Sequence, residues 1–338
     1  MSMTPAPLKG EAPSPQSLGI PRIRIAVSSC LLGEKVRFDG GHKRDTYVTE
    51  ALTAYFDFVP VCPEVAIGMS VPREPIHIVK TEQGLRVRGT RHRDLDVTDK
   101  LRQFGEAMAE ELGDIELGDI DGYILKKDSP SCGMERVRVH GTGGAPSRTG
   151  VGMYAQAFMA RRPWLPVEEE GRLNDPVLRE NFFERVFVHY RWRQMQAEGM
   201  TPATLVEFHS RHKFAVMAHS QAAYRRLGRL VAKAGSEPIE TLATAYEAEL
   251  MSALKKCATR RGHANVLMHL LGFLRTQLDK EDRAELLESI ENYRLGLVPL
   301  VVPITLLKHH FRRHPNPYVN KQYYLNPHPP ELMLRNLI

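Results

Sequence analysis

Short apolar runs in the first half of the chain stop at cysteines. Each run is four or five residues long and is followed within a few positions by Pro, Gly or Ser, so it is typical of a buried strand that ends in a turn. The three pairs of run and cysteine are Ile23–Val27 with Cys30, Phe58–Val61 with Cys62, and Asp121–Leu125 with Cys132. Three of the four cysteines therefore follow a predicted strand.

The segments between these strands have a different periodicity. Residues 46–56 and a longer amphipathic stretch from Thr98 to Leu112 are predicted to be helices, and Glu82 to Gly84 is predicted to turn a hairpin. Strands that alternate with helices are typical of a parallel sheet with crossover connections. We therefore predict an α/β N-terminal domain with a Rossmann-like, mostly parallel sheet. The glycine-rich stretch from Gly141 to Gly152 could shape one wall of a pocket or form a flexible connection, and its composition favours the connection.

From about residue 175 the strand pattern disappears and an all-α C-terminal domain is predicted. Helices are expected over 175–197, from Thr201-Pro202 through Arg229, and over 238–261, 264–278 and 280–295. The predicted domain limits are a disordered, proline-rich leader at 1–21, an α/β domain at 22–170, a helical connector at 171–200 and a basic helical domain at 201–338.

Composition restricts the class of protein. The apolar content of 42% and charged content of 25% are ordinary for a globular chain. Its longest apolar run, Leu297 to Leu307, is interrupted by two prolines, so no membrane span is expected. Four cysteines in 338 residues do not form a disulfide framework, and we expect a cytoplasmic protein with reduced thiols.

Positive charge is concentrated in the second half. Residues 200–338 hold 19 Lys and Arg against 12 Asp and Glu, a net charge of +7, whereas residues 1–199 hold 27 against 28, a net charge of −1. This asymmetry favours a polyanionic partner such as RNA, although a solvated helical surface gives the same pattern. The candidate RNA contacts in this half are Arg211, Lys213, Arg225, Arg229, Lys308, Arg312 and Arg313.

The three strand-end thiols allow several kinds of chemistry. Parallel strands bring their carboxyl ends to one edge of a sheet, so Cys30, Cys62 and Cys132 are expected to lie close together. They could hold zinc with an open position, or an iron–sulfur cluster with one iron free of protein ligands. A nucleophilic Cys132 is a further option, but no histidine lies nearby in the sequence. Each cysteine could also be a small buried hydrophobic residue, which is our interpretation of Cys257.

The motifs around these cysteines resemble those of the thiouracil desulfidase family. They are Ser28–Gly33, Val36–Gly40 with Lys43, Val61–Glu64 with Pro72-Arg73, Lys126 through Gly133, and Gly150–Gly152. The second half resembles a helical domain that is often joined to that family, through Phe208–Lys213, Gly262–Leu267 and Pro299–His309.

The resemblance implies a 4Fe-4S cluster held by Cys30, Cys62 and Cys132, with the fourth iron open. It further implies a tRNA 4-thiouridine desulfidase, which converts thiouridine in tRNA to uridine and releases sulfide. The alternatives are a desulfidase of free thiouracil and a metal-stabilised nucleic-acid-binding protein without turnover. No obligate protein partner is expected.

The same resemblance assigns catalytic roles to a glutamate and a serine. Glu64 is the candidate acid or base, and Ser129 and Ser131 are the two candidate serines. Glu64 could instead cap the helix that Pro63 begins. A second, weaker group of candidates for base or phosphate contacts consists of Arg37, Asp39 and Lys43.

Overall fold

The computed structural model describes residues 22–112, 119–141, 143 and 145–338. The predicted leader at 1–21 lies outside the described residues. The chain divides into two compact units, one ending at Arg161 and the other beginning at Arg162. The domain limits drawn from the sequence stay predictions.

The first unit contains two sheets, and Cys30, Cys62 and Cys132 follow strands of the parallel one. Strand β1 lies between β2 and β5 and is parallel to both, with Ile23 opposite Phe56 and Ile25 opposite Gly122. The second sheet has the order β4-β3-β6-β7. The strands of this unit are β1 (Ile23–Ser28), β2 (Phe56–Val61), β3 (Ile76–Thr81), β4 (Gly84–Gly89), β5 (Gly122–Leu125), β6 (Val137–His140) and β7 (Ser147–Gly150). The parallel sheet and the hairpin at Glu82 to Gly84 confirm the predicted α/β class.

The helices of the first unit are α1 (Pro63–Ala66), α2 (Thr98–Glu111) and α3 (Met153–Arg161). Gly105 lets α2 and α3 approach closely, since a Cβ at this position would come within 2.6 Å of the Tyr154 carbonyl oxygen. The helix predicted over 46–56 was too long. Only Tyr47–Leu52 is helical, as a π-helical turn, because Phe56 already pairs with Ile23 in the sheet.

The interpretation of Gly141 to Gly152 as a simple connection was wrong. Its second half forms β7, which pairs antiparallel with β6 and is followed directly by α3. The sequence Ser-Arg-Thr-Gly in this strand lacks the alternating apolar pattern by which strands are recognised, and three of its four residues are exposed.

The second unit is helical apart from the short strand β8 (Val167–Glu169), which confirms the all-α prediction for the back of the chain. Its helices are α4 (Pro176–Ala197), α5 (Pro202–His219), α6 (Gln221–Val231), α7 (Ile239–Leu254), α8 (Arg260–Gly272), α9 (Lys280–Leu295), α10 (Val301–Arg313) and α11 (Pro317–Asn320). In the described part of the chain, no helix has the length and apolar character that crossing a membrane requires.

Two helix limits in this unit differ from the prediction because of capping side chains. Ser220 accepts a hydrogen bond from the Ala223 amide, which begins a new helix where one continuous helix was expected. Thr259 likewise accepts from the Gly262 amide at 3.1 Å, so Arg260 and Arg261 open α8 instead of ending α7. The helix predicted over 264–278 therefore lies at 260–272, whereas that over 280–295 is confirmed.

Candidate active site

Three cysteines from three separate segments line one cavity of the first unit. Cys30 lies in a 3₁₀ turn after β1, Cys62 directly precedes α1 after β2, and Cys132 lies in the loop after β5. Because these three strands are parallel neighbours, their carboxyl ends open onto the same space. We call this space, with a volume of about 370 Å³, the cysteine cavity.

The thiols of the cysteine cavity are partly withdrawn from water. Burial raises the pKa of the Cys62 thiol, and burial raises that of Cys132 well above its usual value. Negative charge on Glu64, Cys62 and Cys30 also raises the pKa of Cys132, so these groups lie within electrostatic reach of one another. Such thiols remain protonated without a cation and release their protons when they bind one.

The donor set of the cysteine cavity consists of three thiols. Thiolates are the ligands of iron–sulfur clusters, and they also bind zinc. Among residues 22–112, 119–141, 143 and 145–338, no three His, Cys, Asp or Glu side chains are grouped as ligands of one metal ion. The three thiols fit the protein ligands of an iron–sulfur cluster that has one iron without a protein ligand.

The loop that carries Cys132 is shaped by Ser129. Its hydroxyl oxygen accepts hydrogen bonds from the amides of Ser131 at 3.2 Å and Cys132 at 3.0 Å, while its carbonyl accepts from the Gly133 amide at 2.9 Å. Local bonds of this kind stabilise a turn. Ser129 also lines the cysteine cavity, so the same residue stabilises the loop and borders the cavity.

The start of α3 holds the same loop from the other side. The amide of Gly152 donates to the Gly133 carbonyl at 2.7 Å, and those of Met153 and Ala155 donate to carbonyls of the loop at 3.0 and 3.1 Å. A Cβ on Gly152 would lie only 2.5 Å from the Ser131 carbonyl carbon and oxygen. Glycine is therefore required here for close backbone approach.

Glu64 lies in the first turn of α1, and two side chains form hydrogen bonds with its carboxylate. Its Oε1 accepts from the Ser131 hydroxyl at 2.8 Å, and its Oε2 accepts from Nε and Nη2 of Arg73 at 2.9 and 2.6 Å. Both oxygens thus interact with side chains, and the helix-capping alternative gains no support. Of the two candidate serines, Ser131 is the one that contacts Glu64, whereas Ser129 is the one that lines the cysteine cavity.

The weaker candidates have different positions. Arg37 lines the cysteine cavity, and its Nε lies 3.5 Å from Asp39. Asp39 is exposed and accepts from the Gly41 amide, which lowers the pKa of its carboxyl. Lys43 is not part of the cavity lining, although its amide donates to the Cys30 carbonyl at 2.9 Å.

Several lining residues were not predicted as site residues from the sequence. Phe38, Arg73, Lys126 and Lys127 all border the cysteine cavity. Each lies within one of the motifs that resemble the thiouracil desulfidase family, and its place in such a motif was the sequence signal that could have identified it as a site residue. Phe38 is partly exposed, with the Arg37 guanidinium 5.2 Å from its ring centre.

The basic candidates of the second unit fall into two groups. Arg211 pairs with Glu207 at 2.8 Å, Lys213 lies over the Tyr318 ring, and Lys308 donates to Asn326. The others are exposed: Arg225 and Arg229 on α6, and Arg312 and Arg313 at the end of α10. The exposed group is the one that can meet a polyanion without first breaking a contact.

Charged and polar side chains are also buried in the second unit, and their burial was not predicted from the sequence periodicity. Glu184 pairs with His219 at 3.0 Å, and Glu180 pairs with Arg335 at 2.9 Å. His263 contacts the Tyr324 hydroxyl at 3.0 Å. His219 and His263 therefore each have a polar partner within the helical unit.

Comparison with known proteins gives two family matches. Residues 25–170 match the family model described as 2-thiouracil desulfurase, and residues 213–329 match one described as a protein of unknown function, DUF1722. The uncharacterized protein YbgA of Escherichia coli strain K12 is 32% identical over 153 residues, covering 45% of this chain and 90% of YbgA. The uncharacterized protein YbbK of Bacillus subtilis strain 168 is 32% identical over 152 residues, covering 45% of this chain and 98% of YbbK.

One solved structure is also similar in sequence. The 4Fe-4S-dependent thiouracil desulfidase TudS is 33% identical, with 45% of this chain and 94% of that chain covered and a TM-score of 0.36.

Proposed function

Because residues 25–170 belong to the 2-thiouracil desulfurase family and residues 213–329 to the DUF1722 family, we propose that this protein is an iron–sulfur-dependent desulfidase of thiouracil. The reaction replaces the thiocarbonyl sulfur of the base by the oxygen of water, so thiouracil and water give uracil and hydrogen sulfide. The observation that carries the proposal is the meeting of three sequence-distant thiols and Glu64 at the cysteine cavity.

In this proposal Cys30, Cys62 and Cys132 hold a 4Fe-4S cluster through their thiolates. When bound, the cluster supplies a soft Lewis acid that binds sulfur and weakens the carbon–sulfur bond. Ser129 keeps the Cys132 backbone in its turn through two accepted hydrogen bonds, and Gly152 allows α3 to support the turn. The thiols thus reach the cavity from a fixed frame.

Glu64 is the general base of the proposal. It borders the cysteine cavity, and Ser131 and Arg73 each hold one of its oxygens in place. A carboxylate oxygen accepts a proton from the attacking water and can return it to the departing sulfur. Ser131 is fully buried, so it acts on substrate through Glu64.

The remaining cavity walls suit a flat, polar ring. Phe38 offers an aromatic face, and Arg37, Lys126 and Lys127 bring N–H donors that can meet carbonyl or phosphate oxygens. A cavity of about 370 Å³ lies within the size range of small-molecule sites.

The experiment is a turnover assay with the full-length protein, purified and loaded with iron and sulfide without oxygen. We expect uracil and sulfide in equal amounts from 2-thiouracil or 4-thiouracil, and a loss of roughly 100-fold or more in kcat for Glu64→Gln at unchanged iron content. A protein that holds iron and sulfide but forms no uracil from either base contradicts the proposal.

A second substrate is favoured by one observation. The net charge of +7 over residues 200–338, with Arg225, Arg229, Arg312 and Arg313 exposed, suits an RNA backbone, so tRNA that contains 4-thiouridine is the second candidate. If tRNA is the substrate, its binding weakens steeply with salt and Arg225→Glu/Arg229→Glu raises KM for tRNA alone. Equal effects on free thiouracil, or salt-independent tRNA turnover, contradict this candidate.

A further inference from the structure

Arg73 has more contacts at the cysteine cavity than its surface loop would suggest. Its side chain is only 5% exposed, although it belongs to neither a helix nor a strand. Two of its nitrogens, Nε and Nη2, donate to the same oxygen of Glu64 at 2.9 and 2.6 Å. Both donations hold this one oxygen in place, while the Ser131 hydroxyl holds the other oxygen of the carboxylate.

The remaining donors of Arg73 join other parts of the cavity wall to this pair. Nη2 also donates to the Val36 carbonyl at 2.9 Å, and Nη1 donates to the Ser70 carbonyl at 3.2 Å. The Arg73 amide donates to the Phe38 carbonyl at 2.9 Å. The Val36 carbonyl itself lies 4.0 Å from the Cys62 sulfur. Arg73 therefore connects Glu64 with the segment that carries Phe38 and borders Cys62.

The other oxygen of Glu64 is held independently. Ser131 donates to Oε1, so the carboxylate is held by two loop residues that lie nine and 67 residues after it in the sequence. Removing Arg73 leaves one hydrogen bond, about which the carboxylate can rotate. Removing Ser131 alone leaves the two hydrogen bonds from Arg73 to Oε2.

We propose that Arg73 is a positioning residue, which aims the Glu64 carboxylate at the water in the cysteine cavity and acts on the reaction only through Glu64. This inference rests on the desulfidase function proposed above. A buried ion pair is by itself weak evidence for a stabilising role, because desolvation offsets much of the attraction. A proton-accepting carboxylate needs a fixed direction, which the contacts of Arg73 to Oε2 and of Ser131 to Oε1 supply together.

The test compares Arg73→Gln, Arg73→Lys, Glu64→Gln and the double variant Glu64→Gln/Arg73→Gln, all as full-length protein. Arg73→Gln should lower kcat for thiouracil by about 10- to 100-fold, with KM within about threefold of wild type. The kcat of Arg73→Lys should lie between those of wild type and Arg73→Gln. Added guanidinium ion should restore part of the kcat of Arg73→Gln. The double variant should be no slower than Glu64→Gln alone, because the two residues act as one unit.

A second measurement does not depend on turnover. In metal-free protein, the difference infrared spectrum between wild type and Glu64→Gln identifies the Glu64 carboxylate band, and that band should shift in Arg73→Gln and less in Arg73→Lys. Iron and sulfide content should match wild type in all four variants.

Three outcomes overturn the proposal. The first is a loss of kcat in the double variant that equals the product of the losses in the two single variants. The second is a loss of kcat in Arg73→Gln that matches a loss of iron from the same protein. The third is full activity in Arg73→Gln. An inactive wild type instead overturns the proposed function, so the two failures are distinguishable.

Discussion

Replacing Gly152 by Ala tests whether the close contact between α3 and the Cys132 loop sets the geometry of the cysteine cavity. The added Cβ would lie 2.5 Å from both the carbonyl carbon and oxygen of Ser131, and 2.8 Å from the Cys132 amide nitrogen. All three atoms belong to the backbone, so no side chain can rotate away to relieve the contact.

The size of the effect follows from these distances. Ordinary contacts of a Cβ begin at about 3.4 Å, so the loop and α3 must separate by about 0.9 Å, the difference between 3.4 and 2.5 Å. Overpacking of this kind costs about 1–3 kcal/mol. It also stretches the hydrogen bond from the Gly152 amide to the Gly133 carbonyl, which is 2.7 Å long. A displacement near 1 Å at a catalytic site costs about 100-fold in rate.

The assay measures iron and sulfide per chain after anaerobic reconstitution, together with sulfide release from thiouracil. Gly152→Ala should lose most of its cluster or at least about 100-fold in kcat. Gly141→Ala is the matched control from the same glycine-rich stretch, since among the residues that the structure describes its Cβ would meet none nearer than the Gly143 carbonyl oxygen at 3.9 Å. Wild-type cluster content and turnover in Gly152→Ala would refute the reasoning.

Three further changes give separate expectations. Cys132→Ser should abolish retention of iron during gel filtration while Cys257→Ser, on the second unit, should keep it; equal losses in both would argue against a site at the cysteine cavity. Ser129→Ala removes the acceptor of two loop amides and should lower cluster content more than it alters KM, so an intact cluster with a raised KM would contradict its role in the turn. Burial lowers the pKa of His263 to about 4, so below about pH 6.5 the unfolded chain binds a proton at this residue that the folded chain does not, and this group alone should reduce stability by about 2 kcal/mol between pH 7 and 5. Denaturant unfolding at the two pH values should show a loss in His263→Gln that is smaller than the wild-type loss by about that amount, with exposed His269→Gln as the control; a pH dependence unchanged in His263→Gln would count against the assignment.

The sequence was sufficient for the class of the fold and for the convergence of the cysteines. Apolar runs that end in Pro, Gly and Ser turns have a strong signal, and the rule that parallel strands share a carboxyl edge does not depend on side-chain detail. The limits of α5 and α8 were missed because the capping bonds of one serine and one threonine decide them, and those bonds are visible only in the folded backbone.

The contacts of Glu64 could not be predicted in the same way. Ser131 is 67 residues away from it in the chain and Arg73 is nine, so neither contact follows from a local pattern. The two serines, Ser129 and Ser131, are separated by one residue, and only the turn decides which of them contacts the cavity and which contacts Glu64. The buried pair of Glu184 and His219 was also hidden, because charged residues normally indicate an exposed helix face.

The central claim is that three thiols at the cysteine cavity hold a cluster on which thiouracil loses its sulfur. The most direct measurement is a single-turnover experiment with 2-thiouracil and anaerobically reconstituted protein, in which iron, acid-labile sulfide, uracil and released sulfide are measured in one sample. The account predicts about four irons per chain and one uracil formed for each sulfide released. Stoichiometric zinc in place of iron, or uracil formed equally well by a protein without iron, would contradict it.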